Sequence, residues 1–122
     1  MACLMFVDDD LATLELMERA TEILGHKAVL CASVSAALRA AADSRPDMIL
    51  ADLGLLRDGA GRLFIKQFCE SSSIAGIPVA VMSAGWTGED VEQVKRNSAC
   101  EYVEKPIRLD KLSDLIQTYG QS

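Results

Sequence analysis

Apolar residues gather in five short runs: CLMFV at 3–7, KAVLC at 27–31, DMILA at 47–51, PVAVM at 78–82 and CEYVE at 100–104. The first four are nearly continuous rather than alternating, as expected of strands covered by protein on both faces, and such strands belong to parallel sheets. Parallel neighbours need long crossovers, and the segments between the runs carry helical spacing. After Asp10, residues Leu11, Leu14, Met17, Ala20, Ile23 and Leu24 recur at that spacing, with Gly25 as a natural stop. SAALRAAADS predicts a second helix capped by Ser35, and RLFIKQFCES, with Leu63, Phe64, Ile65 and Phe68, a third. TGEDVEQVKRNS opens on a Thr87 cap and early acids, and LDKLSDLIQTY sets Leu109, Leu112, Leu115, Ile116 and Tyr119 on one stripe before Gly120. Five strands alternating with five helices predict an α/β fold, a doubly wound parallel sheet with right-handed crossovers and helices on both faces.

A chain of 122 residues is long enough to bury one core without disulfides or a metal as staples, so one domain over residues 1–122 is expected. Twelve basic against eighteen acidic residues give a formal net charge of −6, which repels a phosphate backbone and argues against direct nucleic-acid binding. Cys3, Cys31, Cys69 and Cys100 lack CxxC spacing and lie in or beside apolar runs, which suits small core residues in a reducing compartment. The apolar start ACLMFV is broken at once by three aspartates and follows no positive region, so neither a signal peptide nor a membrane span is expected, and the cytoplasm is. The chain ends at Gln121 and Ser122 without a linker, so no DNA-binding output segment is expected in it.

In doubly wound folds ligands sit at the carboxyl ends of the strands. There the first run delivers Asp8 and Asp9, the third Asp52, the fourth Ser83, and the fifth Lys105 and Pro106, while Asp10 is placed to cap the first helix. Three neighbouring carboxylates disfavour one another's charge, and a divalent cation resolves this. An all-oxygen set without His or Cys favours Mg²⁺, which commonly bridges to a phosphoryl group; Lys105 and Ser83 can then contact phosphoryl oxygens.

The segments FVDDD, ADLGLLRDG, VMSAG and YVEKPI resemble, in order and over essentially the whole chain, the signature segments of receiver domains of bacterial two-component response regulators. The resemblance implies one chemotaxis-regulator-like receiver domain, with a flavodoxin-like five-stranded sheet in the order 2-1-3-4-5 and five helices. It makes Asp52 the phosphoacceptor, and Asp8 and Asp9 the acidic pair that binds Mg²⁺ together with Asp52 and the Gly54 backbone carbonyl. Ser83 corresponds to the switch hydroxyl, Lys105 to the family's lysine, Tyr102 to the aromatic that changes rotamer on activation, and Lys105–Pro106 to a cis peptide bond.

The implied function is a phosphorylation-dependent signalling switch, with no enzymatic activity beyond self-catalysed phosphotransfer and autodephosphorylation. The phosphoryl group comes from a histidine kinase or histidine phosphotransfer protein. The output is a conformational change read by a downstream protein target through the face of the fourth helix, fifth strand and fifth helix. Two alternatives stand beside it: a degenerate receiver acting only in protein interaction, and a Mg²⁺-dependent aspartyl-phosphate phosphatase. The phosphatase usually carries a second acid two residues after its nucleophile, where this chain has Gly54. The chain also departs from the receiver pattern at Leu56, where many members have proline, and its DGAG looks displaced as if Arg57 or a neighbour were inserted. Gly54 offers no side chain to obstruct water at the phosphoryl group. Trp86 reads equally as a packing residue or a partner contact, and His26 as a solvent-facing loop residue.

Overall fold

The computed structural model describes residues 1–96 and 101–120. Strands β1 (Cys3–Val7), β2 (Lys27–Cys31), β3 (Met48–Asp52), β4 (Val79–Ser83) and β5 (Glu101–Glu104) form one sheet in the order β2-β1-β3-β4-β5, with every neighbouring pair parallel. Helices α1 (Leu11–Ile23), α2 (Val34–Ser44), α3 (Ile65–Glu70), α4 (Gly88–Arg96) and α5 (Leu109–Tyr119) alternate with them. This is the expected doubly wound, flavodoxin-like topology. β3 and β4 end one residue beyond the predicted runs, so Asp52 and Ser83 are the last residues of their strands. Cys100, Asn97 and Ser98, at the start of the fifth predicted strand and the end of the fourth predicted helix, lie outside the described residues.

Successive side chains on a strand point to opposite faces, and the sheet uses that alternation to feed two cores. Leu4 and Phe6 of β1, Met48 and Leu50 of β3, Ala80 and Met82 of β4 and Val103 of β5 pack with Leu14 and Met17 of α1 and Leu112, Leu115 and Ile116 of α5. The intervening residues Met5, Val7, Ile49, Ala51, Val79 and Val81 pack with Ala37 and Ala41 of α2, Ile65 and Phe68 of α3 and Val94 of α4. Continuous apolar runs are therefore required, because neither face of the central strands meets water.

Helix α1 begins on Asp10, whose Oδ1 accepts the Ala12 N–H at 3.3 Å and whose Oδ2 accepts the Thr13 hydroxyl at 2.7 Å. The Thr13 hydrogen bond, more than the backbone one, holds the Asp10 carboxyl below the usual range. The helix stops at Gly25, which takes φ +84° at no steric cost. Two predicted boundaries are corrected. The cap of α2 is Ser33, not Ser35: Ser33 is extended, its Oγ accepts the Ala36 N–H at 3.1 Å, and the earlier start brings Val34 against the core. Helix α3 begins only at Ile65, because Leu63 forms an antiparallel bridge with Arg57 and the Phe64 N–H donates to Leu56 O at 2.9 Å. Those backbone groups are committed to the preceding loop before a helix can use them.

The cap assignment has a direct check. Ser33→Ala lowers the free energy of unfolding in urea by about 1 kcal/mol, whereas Ser35→Ala, on the exposed first turn, changes it by less than about 0.5 kcal/mol; the reverse ranking would put the helix start back at Ser35.

Candidate functional site

The same alternation that builds the core aims three charged groups at one another. On β1 and β3, the positions facing α1 and α5 run Leu4, Phe6, then Asp8, and Met48, Leu50, then Asp52; on β5, Val103 is followed two residues on by Lys105. The parallel register holds their levels, with Val7 opposite Ala51, Asp52 opposite Met82 and Met82 opposite Val103. Past the strand ends, Asp8 N–H still donates to Cys31 O at 3.0 Å and Lys105 N–H to Ser83 O at 2.9 Å, so both residues extend the sheet by one rung. The Lys105 ammonium donates to Asp52 Oδ1 at 2.6 Å and to Asp8 Oδ2. The Lys105–Pro106 peptide bond is cis.

Asp8 is only 1 % exposed and both of its oxygens are engaged, since Oδ1 accepts the Asp10 N–H at 2.9 Å. Burial works against the Lys105 ammonium, but the hydrogen bonds to Asp52 and Asp8 and the charges behind them outweigh it, so its pKa lies above the ordinary lysine value. Asp9 is exposed, and Asp8, Asp9 and Asp52 each bring a carboxylate oxygen within 4.8 Å of the others. Three carboxylates against one ammonium leave two negative charges, the complement of a divalent cation, and an all-oxygen donor set suits a hard one. Gly54 keeps the approach open: a Cβ there would lie 2.9 Å from Asp52 Oδ2. Its carbonyl accepts the Arg57 N–H at 3.4 Å, a long contact.

Ser83 is half-buried at the end of β4, and its hydroxyl accepts the Gly85 N–H at 3.2 Å, a bond within its own loop. Tyr102 lies on the other parity of β5 with its ring partly exposed, edge-on to Trp86 at 5.4 Å and 66°, and 5.7 Å from the Lys95 ammonium. Trp86 Nε1–H donates to Val103 O at 2.9 Å, so the indole ties the loop after β4 to β5 and is a packing residue in this state. His26 is not solvent-facing as expected: it is half-buried at the opposite edge of the sheet, where its Nδ1 accepts the Ala2 N–H at 2.9 Å.

The pairing that the sequence did not suggest is Arg57 with Asp90. Arg57 Nη2 lies 2.8 Å from Asp90 Oδ1 on the first turn of α4, although 33 positions separate the two. Burial pushes the Asp90 carboxyl upward, but the Arg57 guanidinium and the Thr87 hydroxyl outweigh that and hold it below the usual range. A lowered folded-state pKa contributes stability that is complete above the unfolded value of about 3.9 and is lost as pH falls through the folded one.

Two outcomes follow. In metal-free buffer Asp9→Asn raises the free energy of unfolding by about 1 kcal/mol, by removing an exposed like charge whose loss unpairs nothing; a decrease would show that Asp9 has a stabilising partner. In urea melts between pH 5 and pH 3, Asp90→Asn loses less stability on acidification than the wild type, and equal losses would show that Asp90 does not carry this part of the acid sensitivity.

Residues 4–117 match the family described as the response regulator receiver domain. Among curated proteins, the polar-differentiation response regulator DivK of Brucella anthropi is 26% identical over 115 residues, covering 94% of this chain and 93% of its own. The DivK protein of Brucella abortus shows the same identity and coverage. Among solved structures, the chemotaxis protein CheY4 of Vibrio cholerae superposes with a TM-score of 0.82 at 22% identity, covering 98% of each chain. The receiver domain of the sensor histidine kinase PA1611 of Pseudomonas aeruginosa, crystallised with a magnesium ion in its active-site cleft, gives 0.80 at 23% identity, covering 99% of this chain and 98% of its own. At those identities the structural likeness is one of fold, and the family is established by the match over nearly the whole length: the chain belongs to the response regulator receiver domains.

Proposed function

We propose that this receiver domain is a phosphorylation-dependent switch in which Asp52 accepts a phosphoryl group from a histidine kinase or histidine phosphotransfer protein. The observation that carries this is the Lys105 ammonium held between Asp52 and Asp8 at the carboxyl edge of the sheet. Asp52 is the member of the cluster with an oxygen left over, since Lys105 takes Oδ1 and Oδ2 faces the space that Gly54 leaves empty. That oxygen attacks phosphorus in line; a P–O bond forms to Asp52 as the P–N bond to the donor imidazole breaks, and the bond's electron pair leaves with the imidazole. Lys105 is anchored at both ends of the Asp8–Asp52 pair and meets the charge on the phosphoryl oxygens without reorganising. Mg²⁺, held by Asp8, Asp9, Asp52 and the Gly54 carbonyl, supplies the remaining countercharge when bound; the magnesium in the PA1611 receiver domain supports this reading.

Ser83 is placed to follow a phosphoryl group once its hydroxyl leaves Gly85, and Tyr102 to report that change on the exposed face of α4, β5 and α5, where a downstream protein target docks. Activity stays confined to self-catalysed transfer and loss of the phosphoryl group, because position 54 has no side chain to serve as the acid of an aspartyl phosphatase. We assign the protein to the cytoplasm with its phosphoryl donor; among the described residues no helix is long and apolar enough to cross a membrane.

Incubation with Mg²⁺ and a small acyl phosphate, followed by intact-mass measurement, yields one phosphoryl adduct that Asp52→Asn abolishes. A folded wild-type protein without an adduct would make it an interaction module; sustained turnover of varied substrates would make it a phosphatase. In the same assay Gly54→Asn, whose Cβ would lie 2.9 Å from Asp52 Oδ2, slows adduct formation by crowding that oxygen and lengthens the adduct's lifetime about threefold or more by shielding it from water, and an unchanged lifetime would remove that role from Gly54.

A further inference from the structure

We propose that Arg57 is a positioning residue that couples the Asp52 edge of the sheet to α4; the proposal rests on the function given above and deepens it. The loop after β3 is not slack. A single 3-10 turn, Leu53–Leu56, buries Leu53 and Leu56, and residues 57–63 then fold back on themselves around Asp58. Asp58 Oδ1 accepts the N–H groups of Ala60 and Arg62, each at 2.9 Å, and Asp58 N–H donates to Arg62 O at 2.8 Å. Gly61, at φ +79°, closes the turn with its N–H on Asp58 O at 2.9 Å. The residues of this loop therefore make a self-bonded hairpin, and its first residue is Arg57.

That hairpin fixes both ends of Arg57. Its backbone N–H reaches the Gly54 carbonyl at 3.4 Å, two residues from the acceptor aspartate. Its guanidinium is steadied by Nη1 on Gly61 O at 3.2 Å and spans to Asp90 Oδ1 at 2.8 Å. Asp90 is itself tied to the start of α4, where its N–H donates to Thr87 Oγ1 at 3.1 Å, one residue beyond Trp86. A polar cleft of about 320 Å³ lies between this loop and α4, lined by Arg57, Arg62, Glu89 and Asp90 among others, so the ion pair crosses a gap rather than decorating a packed interface. The Asp90 side chain is 13% exposed and that of Arg57 35%, so the carboxylate end of the pair is the better shielded from solvent.

The Gly54 carbonyl would be a ligand of a cation held at the Asp8, Asp9 and Asp52 cluster, and the long Arg57 N–H contact is the bond it would give up; Arg57, released at that end and still paired with Asp90, passes the change to the first turn of α4. Binding free energies are reciprocal, so a partner seated on α4 changes the affinity of the Asp8, Asp9 and Asp52 cluster by the same factor. Arg57→Ala removes the bonds to Asp90 and to Gly61 O while its backbone N–H remains for Gly54, and Asp90→Asn changes the α4 end without touching the Gly61 bond.

Amide NMR spectra recorded before and after adding Mg²⁺ with beryllium fluoride, an anionic phosphoryl mimic, test this. In the wild type the ligand-induced shifts cover Asp52 and Gly54 and also Glu89, Asp90 and Val91. In Arg57→Ala and in Asp90→Asn the shifts at Asp52 and Gly54 persist while those at Glu89 to Val91 fall about threefold, and Arg57→Lys restores part of the loss. Unchanged α4 shifts in either folded variant, with the Asp52 shifts intact, would overturn the coupling and leave the proposed function standing. No shift near Asp52 in the wild type would overturn that function, and the coupling with it.

Discussion

One ammonium shared by two carboxylates, Lys105 between Asp8 and Asp52, sets the terms for the rest of this structure. Like charges this close are tolerated only when compensated, and a charge as deeply buried as that of Asp8 is costly without a partner. The compensation has to arrive from a third strand. The five-stranded parallel sheet delivers it, since the β2-β1-β3-β4-β5 order places β3 beside β1 and β4, and carries β5 close enough for its first residue past the end to reach back. The buried apolar residues of β1 and β3 and Val103 of β5 keep these three groups at one level, and close packing leaves them little room to drift. The residual negative charge of the cluster is the part that the protein itself does not neutralise.

Around that edge, the polar groups that follow β4 and β3 are held in local bonds. The Ser83 hydroxyl serves the Gly85 N–H, the Trp86 indole serves the Val103 carbonyl, and the Gly54 carbonyl takes the Arg57 N–H. Each of these is a single modest hydrogen bond, about 1 kcal/mol apiece, and so is exchangeable at small cost. An element with two nearly balanced bonding arrangements is what a population shift requires. Trp86 sharpens this: by bonding to β5 and meeting Tyr102 edge-on, it makes the loop before α4 and the exposed aromatic of β5 one unit.

Most of the architecture was legible because it rests on short-range pattern. Continuous apolar runs declared two-sided burial, glycine and aspartate punctuated α1, and the five strand-helix pairs declared a doubly wound parallel sheet, whose strand order came from the resemblance to receiver domains. The convergence of Asp8, Asp52 and Lys105 was legible from their places at the carboxyl ends of the strands, and strand parity, which the structure adds, explains why they face one another. Where the reading slipped, long-range bonding had overridden local preference. Ser35 is as good a cap as Ser33 in isolation, and packing of Val34 decided between them. The third helix lost its first turn to a bridge between Arg57 and Leu63. Arg57 with Asp90, and His26 with Ala2, join residues whose sequence separation carries no periodic signal.

The central claim, that this edge is a single divalent-cation site built by Asp8, Asp9, Asp52 and the Gly54 carbonyl, is tested most directly by paramagnetic relaxation. Substoichiometric Mn²⁺ should broaden the amides of Asp8, Asp9, Asp52 and Gly54 first, with Mg²⁺ reversing the effect competitively. Broadening that begins instead around exposed acids such as Asp58, Glu89 or Asp110, or that spreads evenly over the acidic surface, would contradict it.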